Sequence, residues 1–242
     1  MPNNKNNLVM VLIPVSTIVG IDIEWKKPKT FVSAAEEKRW MQKSRKEAME
    51  IKMDLEIGRL TPQDLPGRLI LKPRTAKLPK GEANRFKTEL VEREAALYAE
   101  RDLVNLFVRL VKFLRSWEPE QVHRILGHIK RMKLSRLMLL RNPDCVHKLR
   151  DLRDFGGDVE GFKEEDMAIR EKATALYDHF KKVFNAEPGS DDEFFEDFLK
   201  QVDVFKSVTK DMKKIFCTTL SEKGYQRLLD TMDAAANSDN NE

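Results

Sequence analysis

The chain has few of the residues on which disulfide-rich, collagen-like or membrane-spanning proteins depend. Only Cys145 and Cys217 are cysteines among 242 residues, too few for a disulfide framework or a four-thiolate metal site. Glycine and proline number ten each, which excludes collagen-like and low-complexity chains. No apolar run reaches the roughly 18–20 residues that cross a bilayer as a helix. We therefore expect a soluble, intracellular, helical protein with flexible flanks and no membrane partner.

The motifs of common enzymes and metal sites are missing as well. The sequence contains no glycine-rich phosphate loop, no HExxH or GxSxG motif, no CxxC pair and no kinase signature set. His123 and His128 stand five residues apart, so they would lie on different faces of a helix. We predict that the protein is not an enzyme and holds no cofactor and no metal.

Charged residues are abundant, at 35 % of the chain, and unevenly distributed. The net charge is +6 in residues 1–83, +4 in residues 84–185 and −6 in residues 186–242. A basic N-terminal part attracts polyanions in a salt-dependent way, and an acidic tail repels them. The alternative is that these charges only keep the two ends solvated.

Residues 1–83 are predicted to be a flexible basic region with one helix near residues 33–58. Ser33 and Glu36 have the spacing of a capping box, and Gly58 is a suitable end for this helix.

Two stretches flank that helix. The apolar segment Leu8–Ile23 is compatible with one or two short strands or with an unpaired segment. Four prolines between Leu60 and Gly81 indicate a linker, because they prevent a continuous helix.

Residues 84–185 are predicted to form the core. Apolar residues recur at helical spacing from Asn84 to Trp117, with a break expected near Glu100–Asp102 because about 30 residues is long for one globular helix. Further helical segments follow with short connections, which predicts an all-α bundle. The buried face predicted for the first of these helices consists of Leu90, Leu97, Val104, Phe107, Leu110, Val111 and Leu114.

Residues 186–242 are predicted to form an acidic C-terminal helical extension and a disordered tail. Ser190 and Glu193 form a second capping-box spacing, and an apolar stripe follows as far as Ile215. The Asn- and Asp-rich end after Met232 has the composition of a disordered segment.

Lys130, Arg131, Lys133 and Arg136 form the most concentrated basic cluster. Such a cluster can contact nucleic-acid phosphates, but it is equally compatible with the solvated outer face of helices. No aromatic residue stands among these cations to stack on bases. Weak nucleic-acid contact is therefore a second hypothesis.

Two stretches within residues 103–185 are similar to a known helical module. Met132–Phe155 reads MKLSRLMLLRNPDCVHKLRDLRDF, and Lys172–Phe184 reads KATALYDHFKKVF. Both resemble the integrase-binding domain of the lens epithelium-derived and hepatoma-derived growth factor family, a TFIIS N-terminal-like bundle. The resemblance implies a right-handed bundle of two helical hairpins joined by a connecting helix.

The resemblance also implies a nuclear, chromatin-associated adaptor in transcription regulation. The family uses two inter-helical loops at one end of the bundle to bind disordered acidic peptides with Phe at an F-x-G-F-like spacing. An apolar notch accepts the aromatic anchors, and basic charge attracts the acidic leader. Plain core packing is the alternative for the corresponding positions, which are Leu114, Arg115, Trp117, Phe155, Gly156 and Gly157.

The chain departs from the family pattern at several positions. Arg115 stands near the place of a family aspartate that hydrogen-bonds the ligand, and Gly156-Gly157 replaces a valine. The family's PWWP domain is not visible in residues 1–83. Peptide specificity and partner identity therefore stay open.

The C-terminal extension resembles the ligand of such a domain. Asp191–Phe198 places acidic residues before Phe195 and Phe198, so these two side chains are candidate intramolecular ligands. The alternative is that they belong to the buried stripe of a packed helix. A third hypothesis for the whole protein is an assembly subunit whose terminal helix pairs in a coiled coil, and the oligomeric state stays open.

Overall fold

The chain forms two compact units whose boundaries differ from the predicted domains. Met1–Glu94 together with Asp211–Glu242 make the first unit, and Ala95–Lys210 make the second. The predicted acidic extension is divided between them, because its first helix packs on the bundle and its last helices pack on α1. The computed structural model describes residues 7–13, 17–71, 80–156, 163–186 and 191–239.

A three-stranded antiparallel sheet lies in the first unit, in the order β1-β2-β3. β1 (Leu8–Ile13) and β2 (Thr17–Asp22) pair along their whole length, and β3 (Leu69–Leu71) joins the free edge of β2. The two strands confirm the short strands that were one alternative for Leu8–Ile23, whereas β3 lies in the segment expected to be a linker. β3 forms because its apolar triplet pairs with a strand far away in sequence, which no local pattern reveals.

Helix α1 (Ala34–Ile57) has the predicted ends. The Ser33 hydroxyl accepts a hydrogen bond from the Glu36 amide at 3.2 Å, and Gly58 adopts a left-handed conformation with φ 80°. One face of α1 packs on the sheet, so the core of this unit joins two layers. That core consists of Val11, Ile13, Val19, Ile21, Ile23, Ala48, Ile51, Leu55 and Phe216.

Two C-terminal helices, α8 (Lys214–Thr218) and α9 (Glu222–Asp239), complete the first unit. α9 packs on α1 with Tyr225 and Leu228 buried, so part of its apolar side is used within the chain. The helix continues to Asp239, through most of the segment predicted to be a disordered tail.

The long helix α2 (Lys80–Arg115) is uninterrupted, which contradicts the predicted break near Glu100–Asp102. Arg141 Nε and Nη2 lie 2.8 and 2.7 Å from the Glu100 carboxylate, and the Asn142 amide donates to the same group at 3.1 Å. Both ionic side chains are nearly buried. Tertiary contacts therefore hold the helix where length alone predicts a break.

The second unit is a helical bundle, as predicted. Its helices are α3 (Pro119–Arg131), α4 (Arg136–Arg141), α5 (Pro143–Arg153), α6 (Lys163–Val183) and α7 (Asp191–Thr209). Helices α3 and α5 both pack against α6, and α4 contacts α5 and α7. Within the described residues no helix is long and apolar enough to cross a membrane.

The end of α1 provides a test of this packing. A Cβ at Gly58 would lie 2.4 Å from Phe216 Cγ, in addition to the strain of a left-handed alanine. We expect Gly58→Ala to lower the free energy of unfolding by about 2–5 kcal/mol. Urea denaturation followed by circular dichroism measures the loss. Gly81→Ala is the control, because a Cβ there meets nothing within 4 Å; equal stability of the two variants would contradict the prediction.

Candidate peptide-binding site

The two inter-helical loops of the bundle meet through one aromatic contact. Trp117 lies in the α2–α3 loop and Phe155 at the start of the α5–α6 loop, and their ring centroids are 6.1 Å apart with an interplanar angle of 20°. This distance is within the range of offset-stacked aromatic pairs. Both side chains are half-buried, so part of each ring faces solvent. The structure thus brings two predicted site residues together.

The backbone of Trp117 is unusual for a bulky residue. Its φ is 52°, in the left-handed region, and its amide donates to the Leu114 carbonyl at 3.3 Å. The Glu118 amide donates to the Phe113 carbonyl at 2.9 Å and closes the turn. A left-handed non-glycine residue costs about 1–2 kcal/mol, so contacts such as the Phe155 stack are needed to hold the indole here.

The second loop is built more simply. The Phe155 amide donates to the carbonyl of Leu152, a buried residue of α5, at 3.4 Å. Gly156 is exposed, and a Cβ added to it would meet nothing within 4 Å. Gly157 lies outside the described residues. The loop therefore presents Phe155 beside an open backbone position.

A shallow groove runs beside the first loop, between α2 and α5. Val108 and Val111 supply its apolar surface, and Val108 is 60 % exposed. Lys112, Arg115 and Lys148 line it with positive charge, and no acidic side chain lines it. We call this feature the α2–α5 groove. Its chemistry suits a ligand that is both acidic and apolar.

Sequence reasoning missed this groove because the predicted buried face of α2 was rotated. Val104 was expected inside but is 36 % exposed, whereas Leu103 and Leu106 are buried in its place. Leu114 is half-buried. The signal that could have shown the groove is the set of exposed valines at 104 and 108, spaced one turn apart before the cations of the last turn.

Phe195 and Phe198 do not lie between the two loops. Phe195 meets the His147 ring edge-on at 4.8 Å, and Phe198, fully buried, meets Phe184 at 5.5 Å. Both side chains thus pack against α5 and α6. The intramolecular-ligand hypothesis is corrected: helical periodicity places Phe194, Phe198 and Val202 on one face of α7, and their burial stabilises the bundle.

Residues 100–208 match the family model of the lens epithelium-derived growth factor (LEDGF). The match confirms the predicted resemblance, and it covers both loops, the α2–α5 groove and nearly all of α7. No curated protein and no solved structure matches the chain. The match covers less than half of the chain. The LEDGF family is a non-enzymatic protein–protein interaction domain, and nuclear and transcription-related roles fit that family.

The LEDGF-like domain neutralises the acidic start of α7 with its own cations. Asp191 accepts from Lys181 Nζ at 2.7 Å and also pairs with Arg153, and Asp192 lies 2.6 Å from Arg150. We call these five residues the α7 clamp. The hydrogen bond from Lys181, with a smaller one from Arg153, holds the pKa of Asp191 below its ordinary value.

The predicted basic cluster is smaller on the folded LEDGF-like domain than in the sequence. Lys130, Arg131 and Lys133 are exposed. The Arg136 guanidinium instead donates twice to Gln201 Oε1, at 3.0 and 2.8 Å, and is tied to α7. Three cations are therefore available to a polyanion where four were predicted.

The cysteine and a histidine of the LEDGF-like domain are held by packing and by hydrogen bonds. Cys145 is buried, which raises the pKa of its thiol to about 12. The His123 ring lies 3.1 Å from Glu165 and 3.0 Å from Lys172 on α6. Within the described part of the chain, no group of three or more His, Cys, Asp or Glu side chains is placed to hold a metal ion.

The α7 clamp predicts a pH dependence of stability. A carboxyl whose pKa is lowered on folding contributes stability above its unfolded pKa, and that stability is lost as the pH falls through the folded pKa. We expect Asp191→Asn to lower the free energy of unfolding by up to about 1 kcal/mol at pH 7. The difference from the parent chain should shrink below about pH 4.

Urea unfolding at several pH values measures this effect. With Trp25 and Trp40 changed to phenylalanine, Trp117 is the remaining tryptophan and its fluorescence reports on the second unit. Glu196→Gln, an exposed site on α7, is the matched control and should change little. A loss for Asp191→Asn that stays constant down to pH 3 would argue against the clamp.

Proposed function

We propose that residues 100–208 act as a nuclear adaptor that binds short, disordered, acidic peptides of transcription or chromatin regulators through phenylalanine anchors. The observation that carries the proposal is the contact between Trp117 and Phe155, 6.1 Å apart. It joins the two loops that the LEDGF family uses for peptide capture. The match of the family model to residues 100–208 supports the same conclusion.

The anchor side chain would pack on the exposed parts of the two rings. An additional aromatic ring contributes about 0.5–1.5 kcal/mol per ring contact beyond its buried area. The strained turn at Trp117 already fixes the indole over the second loop. Little ordering of the site is therefore needed when a peptide binds, which favours affinity.

The acidic part of the peptide would lie along the α2–α5 groove. Its cations Lys112, Arg115 and Lys148 are exposed, whereas Arg150 and Arg153 are engaged by α7. Arg115 stands near the place of the family's aspartate, so we expect this domain to prefer a carboxylate next to its anchor. Ordering of the disordered ligand costs free energy, and micromolar affinity is expected.

The first test of this function removes the aromatic pair. Phe155→Ala and Trp117→Ala should each weaken binding of a fluorescein-labelled acidic F-x-G-F peptide by about 30-fold, since a buried aromatic anchor contributes about 2 kcal/mol. Fluorescence anisotropy measures the affinity. Tyr98→Ala is the control, because Tyr98 is an exposed aromatic residue on α2. Unchanged affinity in both loop variants, with native circular dichroism, would refute the site.

A second test examines the α2–α5 groove. Lys148→Glu should weaken the same peptide about tenfold, because it reverses charge beside the acidic leader. Lys130→Glu makes the same charge change at an exposed position of α3 and should have little effect. An equal loss in the two variants, read by anisotropy at 50 and 200 mM salt, would mean that only net charge matters.

The exposed cations Lys130, Arg131 and Lys133 leave weak nucleic-acid contact as the second candidate. Phe155→Ala separates the two functions, because it removes an aromatic anchor and no charge. Binding of nucleic acid through these cations should keep both its affinity and its salt dependence in that variant.

A further inference from the structure

We propose that the first unit contains a separate binding site for single-stranded nucleic acid, in a cleft between Trp25 and Trp40. The cleft has a volume of about 250 Å³, and Lys43 and Arg68 also line it. It lies outside the region matched by the LEDGF family model. The inference therefore does not depend on the peptide-binding function.

The walls of the cleft are fixed by contacts within the first unit. Trp25 lies in the turn after β2, and the Ser44 hydroxyl of α1 donates to the carbonyl of Ile23 in that turn at 2.5 Å. Arg68, just before β3, pairs with Glu47 of α1 at 2.6 Å. Strand, turn and helix thus hold the two indoles on one surface.

Both indoles are half-buried and have aromatic or cationic neighbours. Trp40 meets Phe31 with ring centroids 6.1 Å apart, and the Lys26 ammonium lies 4.1 Å from the Trp25 ring centroid. A single strand binds proteins by stacking its bases on such rings while cations follow its phosphates. By contrast, the basic cluster at Lys130, Arg131 and Lys133 has no aromatic residue among its cations on which a base could stack.

The charges around the cleft favour an anion. Lys26, Lys43 and Arg68 line it, and Arg39 borders the adjoining surface at Trp40. Glu47 also lines the cleft and pairs with Arg68, and Glu36 lines the adjoining surface, where it accepts a hydrogen bond from the Val32 amide at 2.9 Å. The excess of positive charge disfavours cationic ligands of aromatic sites, such as methylated lysine.

Arg68 fixes the aromatic wall of the cleft. Only 4 % of this residue is exposed, and its guanidinium carbon lies 5.1 Å from the Trp25 ring centroid while Nη1 pairs with Glu47. The Arg68–Glu47 pair therefore holds the Trp25 indole in place, and the exposed Lys26 and Lys43 supply the net positive charge that a phosphate chain would meet.

The test uses the full chain and fluorescein-labelled oligo(dT) and oligo(U) of twelve nucleotides, with anisotropy as the readout. We expect saturable binding that weakens as salt rises. Trp40→Ala and Lys43→Glu should each reduce the affinity at least tenfold, and Trp40→Phe should retain most of it because a ring remains. Lys38→Glu is the matched control, since Lys38 is exposed on the same helix but does not line the cleft.

Four outcomes would overturn the proposal. Equal losses of affinity in Lys38→Glu and Lys43→Glu would show that binding depends only on net charge. An unchanged affinity in Trp40→Ala would exclude stacking on the indole. Binding of duplex DNA as tight as that of the single strand would also exclude base stacking. Competition by a mononucleotide as effective as the oligonucleotide would show a nucleotide pocket instead. Phe155→Ala should leave oligonucleotide binding intact, which separates this site from the peptide site.

Discussion

The LEDGF-like domain depends on the packing of α6 against both α3 and α5. Ile169, Ala173, Tyr177 and Phe180 are buried on this one helix, and they hold two segments that are distant in sequence. Because α3 begins directly after the first loop and α5 ends directly before the second, their common packing on α6 brings both loops to one end. Trp117 can meet Phe155 only through this arrangement. The left-handed backbone of Trp117 lies in the first of these loops, next to the stacked pair.

The acidic residues and phenylalanines at the start of α7 resemble a ligand in sequence but have a structural role in the fold. Acidic residues followed by phenylalanines would suit a ligand, yet in α7 they stabilise the bundle: Asp191 and Asp192 bind cations of α5 and α6, and Phe195 and Phe198 pack beneath. This use of Arg150 and Arg153 leaves Lys112, Arg115 and Lys148 of the α2–α5 groove as exposed cations beside the first loop. In the proposed function, α2 and α5 would together contact the acidic part of a peptide.

The two proposed sites combine aromatic rings with cations in different ways. In the LEDGF-like domain the rings of Trp117 and Phe155 contact each other, so they form one compact platform for an apolar anchor. In the first unit Trp25 and Trp40 both line a cleft with a buried arginine, an arrangement suited to a planar base that carries phosphate. The first pairs aromatic contact with carboxylates in the ligand, and the second with phosphates. The two proposals thus assign a different ligand chemistry to each unit.

The sequence alone determined the features that depend on neighbouring residues. The caps at Ser33 and Gly58 follow from hydrogen bonds within one helical turn, and the helical bundle follows from periodicity and from the family resemblance. Trp117 and Phe155 were identified from the family resemblance alone, and their binding role remains a prediction. Tertiary structure decided the rest. Residues far apart in sequence had to meet before β3 could pair with β2, before Glu100 could bind Arg141 and hold α2 straight, and before α7 could bury the phenylalanines that resemble a ligand. The cleft between Trp25 and Trp40 belongs to this second group, because α1 and β3 must fold onto the turn after β2 to form it.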